Sequence, residues 1–349
     1  MAYTTIDKPT DYFNTKLYTG TGSSQSITGI NFQPDWIWIK YRGGTGGHNL
    51  FDSVRGALKR LRTDSANGET TTATDTLTSF DSDGFSLGAD TFGDGVNLSG
   101  YNNVAWNWLA GGTASSNTDG SVTTTVSANQ TAGFSIGTYA GSASSITCGH
   151  GLNAVPKMII CKTYDTSATN WQVYHVGMGN GYRIYLNLTN AQELNSNAWN
   201  DTTPTSSVFT LGTAGDGNYP GRNFVFYCFA EIKGFSKFGS YTGNGNADGP
   251  FIYTGFKPAF IIGRNTSRIE DWFMLDNKRD TFNPVDERLQ PNSNGAEVTV
   301  TTLGIDFCSN GFKLRGATNQ YNASGETMIY MAFAEEPFVD SSGVPATAK

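Results

Sequence analysis

One ordered set of landmarks occurs three times along the chain. This recurrence constrains the fold more than any other feature, because a repeated segment of this length is one supersecondary unit copied in tandem. Each copy opens with a tyrosine before a Gly-rich turn: Tyr18 in YTGTG, Tyr139 in YAGSA and Tyr241 in YTGNG. Pro34, Pro156 and Pro258 follow at 16, 17 and 17 residues and lead into the apolar runs DWIWIK, KMIICK and AFIIGR. A base stands six residues after each proline: Lys40, Lys162 and Arg264. That is an even offset from Trp36, Met158 and Phe260, so base and apolar residue share a strand face. An edge charge that extends its amine to water accounts for such a residue.

The third landmark is an aromatic and a leucine at i, i+2 before glycine: Phe85 and Leu87, Phe209 and Leu211, Phe312 and Leu314. The last is a run apolar on both faces: VAWNWLA ending at Ala110, FVFYCFA ending at Ala230 and MIYMAFA ending at Ala334. Two-sided burial marks a central strand. Tight turns such as DSDG (81–84) and CSNG (308–311), with alternating strands between them, predict an all-β chain of three tandem antiparallel β-sandwich-like modules. Each is about 100 residues long.

The expected boundaries are module one at 1–110, a Ser/Thr/Gly-rich linker at 111–133, module two at 134–234, and module three at 235–349 with a short C-terminal tail. The linker, with one strand near Val122 to Val126, should hinge module one; the junction Ile232 to Gly239 carries Phe235 and Phe238 and should pack rigidly. Ser53 to Arg62 is predicted as a brief helix with Val54, Leu58 and Leu61 on one face, against the resistance of Gly56.

Charged residues are only 15% of the chain against about 25% in ordinary soluble proteins, so Thr, Ser and Asn must supply the polar surface. The net charge of −7 is the wrong sign for a phosphate backbone and argues against nucleic acid as a partner. Met1 to Lys16 has no apolar signal-peptide core, and no apolar run reaches the length of a spanning helix, which predicts a soluble chain without membrane partners.

Candidate chemistry is sparse. His48, His150 and His175 occupy different places in the repeat and form no triad or HExxH pattern; each reads as a structural histidine. Cys148, Cys161, Cys228 and Cys308 lack metal-site spacing and read as free thiols. Asp81 and Asp83 could offer oxygen ligands to calcium, but the later acids of a calcium loop are missing and an Asx turn is the preferred reading. Glu231 and Glu335 belong to different modules and reflect repetition instead of a glycosidase pair. Asp52 and Arg55 stand 18 and 21 residues after Pro34, and Asp276 and Arg279 stand at the same offsets after Pro258, as ion pairs pinning a loop or as partner contacts. In module two those offsets fall on Tyr174 and Gly177, so the pair is not essential to the fold. Trp171, Tyr174 and Trp199, from an aromatic group with Tyr182 and Tyr185, are candidates to stack on glycans, although core packing accounts for most of this group. No cofactor is implied.

Four motifs, SKFGSYTGNGNADGPFIYTGFKPAF (236–260), MLDNKRDTFNPVD (274–286), SNGFKLR (309–315) and YMAFAEEPF (330–338), resemble a repeated module of tail-fibre-like and other virion structural proteins of tailed bacteriophages, particularly marine podophages. Module two keeps PTSSVFTLG and YCFAEIKG, whereas module one ends in WLAGG and departs from the pattern. The resemblance implies a virion surface location after assembly in the host cytoplasm, and a structural or host-contacting role. Its partners would be the major capsid protein or tail components, with a homo-trimer and a host surface glycan as further options. The expectation is a non-enzymatic capsid decoration or knob-like component docking through module one. The alternatives are a tail-fibre receptor-binding protein and a lectin or glycan-active enzyme.

Overall fold

Pairing in each module follows from which strands are apolar on two faces. The computed structural model describes residues 3–70, 75–165, 169–301 and 304–347. Module one contains β1 (Phe13–Thr19), β2 (Gln25–Thr28), β3 (Trp36–Tyr41), β4 (His48–Asp52), β5 (Leu61–Arg62), β6 (Leu77–Asp81), β7 (Gly84–Leu87) and β8 (Asn102–Trp108), in sheets ordered β1-β8-β3-β4-β5 and β2-β7-β6. Module two contains β9 (Ser115–Asn117), β10 (Thr124–Asn129), β11 (Phe134–Ala140), β12 (Ile146–Gly149), β13 (Pro156–Thr163), β14 (Gln172–His175), β15 (Tyr182–Tyr185), β16 (Glu193–Leu194), helix α1 (Ser196–Trp199), β17 (Val208–Leu211) and β18 (Asn223–Ala230). Its sheets run β16-β15-β14-β13-β18-β11-β10-β9 and β12-β17.

Module three contains β19 (Ser236–Thr242), β20 (Phe251–Tyr253), β21 (Phe256–Asn265), β22 (Phe273–Asp276), β23 (Glu287–Arg288), β24 (Val298–Thr299), β25 (Ile305–Cys308), β26 (Gly311–Leu314), helix α2 (Asn319–Asn322) and β27 (Thr327–Pro337). Its sheets are β19-β27-β21-β22, β20-β26-β25 and the pair β23-β24. In every module the last strand lies between the strand of the opening tyrosine (β1, β11 or β19) and the proline strand, and the named strand pairs are antiparallel. The chain is all-β with sandwich-like modules.

The period of two in these strands separates two kinds of core. Ile37, Ile39 and Ala105 face Phe85 and Leu87 inside module one; Phe226 and Cys228 face Phe209 and Leu211 inside module two; Ile261 and Ala332 face Phe312 and Leu314 inside module three. The alternate residues point the other way. Trp36, Trp38, Trp106 and Trp108 join Ile160, Tyr227 and Phe229 and also Phe260, Met331 and Phe333 in one cluster shared by all three modules. Ring centroids lie 4.9 Å apart for Trp36 and Tyr227, 5.1 Å for Phe13 and Phe333, 5.8 Å for Trp108 and Phe260 and 6.2 Å for Phe229 and Phe333. Each such ring removes about 150–250 Å² from water, worth roughly 4–6 kcal/mol before entropy.

That shared core overturns the expected hinge. Module one is packed against both others, and the 111–133 segment itself contributes β9 and β10 to the sheet of module two. Its composition was a poor guide because the decisive apolar faces lie in the flanking strands. Residues near the N terminus also reach module three and its junction with module two: Tyr3 OH donates to the Gly255 carbonyl at 2.9 Å and Thr4 Oγ1 to that of Lys233 at 2.9 Å. The helix expected over Ser53 to Arg62 is a series of turns ending in β5, since Gly56 and Leu58 have φ of +105° and +66°.

The opening tyrosines have one shared task. Tyr18, Tyr139 and Tyr241 donate to the carbonyls of Val96, Gly217 and Tyr321 at 2.6, 2.6 and 2.8 Å. The next residue in each case is a buried asparagine: Asn97, Asn218 or Asn322. Its oxygen accepts from the backbone N–H of Thr21, Ser142 or Asn244. Its amide donates to the glycine that ends the aromatic-leucine strand, Gly88, Gly212 or Gly316. Three residues on, Gly100, Gly221 and Gly325 take φ of +78°, +77° and +74°, a turn that favours glycine. An N-x-x-G motif is therefore a fifth landmark, legible as NLSG, NYPG and NASG but overlooked among the many Asn and Gly residues.

Candidate functional site

The three modules meet along three seams, and the same positions build each one. Lys40 pairs with His48, and extending the registers of β13 and β21 by one residue places Trp171 and Trp272 at that site in the other modules. Trp171 Nε1 of module two donates to the Arg62 carbonyl of module one at 3.0 Å, and Trp272 Nε1 of module three to the Tyr185 carbonyl of module two at 2.9 Å. At the third seam His48 faces the backbone of Gln290 in module three, although its Nε2 closes no hydrogen bond. The backbone N–H groups of Glu69, Gln192 and Glu297 donate to the carbonyls of Tyr164, Thr266 and Arg42 at 2.7, 2.9 and 2.8 Å. Module two thus contacts one, three contacts two and one contacts three, so the circle is closed.

The acid-base candidates lie in these seams. Asp52 Oδ2 accepts from Arg55 Nε at 2.6 Å and from Tyr227 OH of module two at 2.7 Å, all buried. Asp276 Oδ2 accepts from Arg279 Nε at 2.5 Å and from Trp106 Nε1 of module one at 3.0 Å. Glu69 and Glu297 complete the two sets, accepting from Arg55 and Arg279 at 2.7 and 2.9 Å. Burial disfavours both guanidinium charges, but the neighbouring carboxylates outweigh it and raise the pKa of each arginine. These groups fix one module against the next.

The structure also corrects which residues of module two correspond to them. Trp36 pairs with Asp52 and Phe260 with Asp276, while Met158 pairs with His175. One extra residue between β13 and β14 shifts the alignment, so the counterpart of Asp52 is His175 and not Tyr174. His175 Nε2 lies 3.0 Å from the Tyr330 carbonyl of module three and its Nδ1 accepts from Gly177 N–H at 3.0 Å. Burial lowers its pKa to about 4, keeping the ring neutral.

The bases near the ends of the proline strands point inward, not to water. Lys162 Nζ donates to the Ala66 carbonyl of module one at 2.7 Å and Arg264 Nη2 to that of Asn190 in module two at 2.6 Å. Lys40 Nζ donates to its own loop, at Tyr41 and Gly44. Burial lowers Lys40, Lys162 and Arg264 to about 8, 7 and 10. The seam between modules one and three carries an added clamp, with Arg42 gripping Glu297 at 2.7 Å and Glu287 at 2.7 Å. Burial, then the proximity of Glu297, pushes Glu287 up to about 7.

Burial decides for core packing and against glycan stacking. Trp171, Tyr174 and Trp199 are 0%, 3% and 1% exposed; the first lies in the shared core and the other two pack edge to face inside module two. Asp83 accepts from the backbone of Gly29 and Asn31 at 3.0 and 2.6 Å, and Asp81 from Ser79 and Ser86, so both carboxylates serve turns. His150 Nε2 lies 3.2 Å from the Thr205 carbonyl. Cys148, Cys161 and Cys228 are buried free thiols whose pKa burial raises, and a thiol that stays protonated is a poor nucleophile.

A family model described as a domain of unknown function, DUF7483, matches residues 8–337. The chain belongs to the DUF7483 family. No curated protein matches it. One DUF7483 model covers all three modules and the segments between them, as the single shared core leads one to expect.

Proposed function

We propose that this chain is a non-enzymatic surface protein of a tailed-bacteriophage virion, acting as a capsid decoration or knob-like structural component. The observation that carries the reading is the closed circle of modules around one aromatic core. Its acid-base pairs, the inward bases Lys162 and Arg264 and most of its tryptophans hold module to module, which suits a structural block better than a catalyst. The likeness of the module-three motifs to phage virion modules supports the location. Without a hinge, the block would dock on the major capsid protein or on tail components as a unit, with no separate docking module.

A tail-fibre role in contact with host surface glycans is the second reading, favoured by a polar cleft on module two. Immunogold labelling of purified particles with an antibody to the chain distinguishes them. Label over the head is expected; label at the tail tip selects the second reading, and unlabelled particles refute both.

A further inference from the structure

The three N-x-x-G turns create three comparable corners, and module two differs from the others at its corner. Four residues after the N-x-x-G asparagines stand Tyr101, Arg222 and Glu326. Tyr101 stacks on Tyr41 with ring centroids 3.8 Å apart, and Glu326 ion-pairs with Arg268 and accepts from Asn265. Modules one and three therefore close their corners with their own side chains. Arg222 has no carboxylate partner among the described residues; its guanidinium lies 4.3 Å from the ring centroid of Tyr219. An aromatic ring orients a guanidinium without cancelling its charge and leaves its donor fork free.

Beside this pair opens a cavity of about 370 Å³, lined also by Arg183, Asn197, Thr213 and Asp216. Its wall is set in advance. Asp216 accepts from Asn170 N–H at 2.8 Å, Tyr185 OH at 2.9 Å and Arg183 at 3.4 Å, and Glu193 holds Arg183 at 3.0 Å. The loop that carries Tyr219 is stapled by Asn218. Tyr219 itself is 47% exposed.

We infer that this cavity binds a carboxylate-bearing saccharide of one or two rings. Arg222 takes the carboxylate through its fork, the match that a guanidinium makes best. Tyr219 covers an apolar sugar face, and Asn197 and Asp216 meet hydroxyls. The volume lies within the range of small-ligand sites. Fixed acids at Asp216 and Glu193 oppose a multiply charged anion, whereas one carboxylate on a neutral hydroxylated body places its charge at Arg222 alone. The inference is independent of where the chain sits on a particle.

The test is ligand-observed NMR on the full chain with glucuronic acid and a galacturonic acid disaccharide, beside glucose and inorganic phosphate. Saturable binding of a uronate, stronger than glucose, is expected. Arg222→Gln should weaken it by about tenfold or more, the loss of one charge-assisted pair. Tyr219→Ala should weaken both uronate and residual glucose binding, and both variants should melt within about 2 °C of the parent because surface changes of this kind are nearly neutral. No saturable uronate binding, equal binding of glucose, full competition by phosphate, or uronate affinity unchanged by Arg222→Gln would each overturn the assignment.

Discussion

Replacing Asp276 with asparagine asks whether three modules behave as one body. Asp276 is fully buried, and its Oδ2 takes Arg279 from its own module and Trp106 from module one. Asparagine preserves the shape and one acceptor but removes the charge beneath Arg279. Breaking a buried pair costs about 3–5 kcal/mol, and the lower end applies because Glu297 still holds Arg279. The entropy of unfolding near 60 °C is about 2.1 cal/mol/K per residue, or roughly 0.7 kcal/mol/K for the whole chain of 349 residues. If all three modules unfold together, a loss of about 3 kcal/mol lowers Tm by about 4 °C. If module three unfolds alone, with about one third of that entropy, its transition falls by about 12 °C while the others stay in place.

Differential scanning calorimetry separates the two outcomes, and the shared core predicts the first, with calorimetric and van't Hoff enthalpies in agreement. A split endotherm would refute the single cooperative body. An unchanged Tm would refute the assignment of Asp276 to the seam.

Three further outcomes follow from the same contacts. The folded pKa of His175, near 4, is depressed below the ordinary 6.5, so its stabilisation is present above about pH 6.5 and lost as pH falls towards 4; roughly 3 kcal/mol is at stake, and urea midpoints should show a shallower acid slope for His175→Gln. Glu287 is raised to about 7, so its favourable contribution is present below its unfolded pKa and lost as pH rises through 7; Glu287→Gln should raise Tm at pH 8 and leave it unchanged at pH 4. Asn322→Ala removes amide bonds to Asn246 and Gly316 and the acceptor of Asn244 N–H, and should cost about 2–3 kcal/mol in urea titration, with Asn97→Ala and Asn218→Ala alike.

The fold was legible where period and pattern act locally. Two-sided apolarity placed β8, β18 and β27 between their neighbours, and the i, i+2 pairs such as Phe312 and Leu314 lie together in a module core. What escaped was the destination of the second face. Trp36 and Trp108 read as buried, but nothing in a single sequence says that the burying surface is Phe229 of one module and Phe260 of another. The same blindness made Trp171 look available to a sugar and Lys162 look like an edge charge, when each reaches a backbone carbonyl across a seam. The Arg222 corner lay beyond sequence reasoning for a different reason. Its interest lies in the carboxylate it lacks among the described residues, and only the filled corners at Tyr101 and Glu326 reveal that.

The seams also explain why the Asp and Arg pairs appear in two modules and not in the third. A head-to-tail circle of identical subunits must use one residue at all equivalent contacts. A single chain is free to vary them. Two seam sets read Asp52, Arg55, Glu69 and Asp276, Arg279, Glu297, each with one net negative charge; the counterparts in module two are His175, Met178 and Gln192, all neutral. Losing the arginine alone would leave its buried carboxylates without a counter-charge, at a cost of about 3–5 kcal/mol, so the carboxylates and the arginine change together. His175 keeps the intermodule link by exchanging a carboxylate acceptor for a contact with the Tyr330 carbonyl, and the half-buried Met178 packs against the shared core in place of a guanidinium. The break in the repeat at module two is therefore a neutral version of the same joint, and the pair that looked dispensable is one of two chemical solutions to holding neighbouring sandwiches in register.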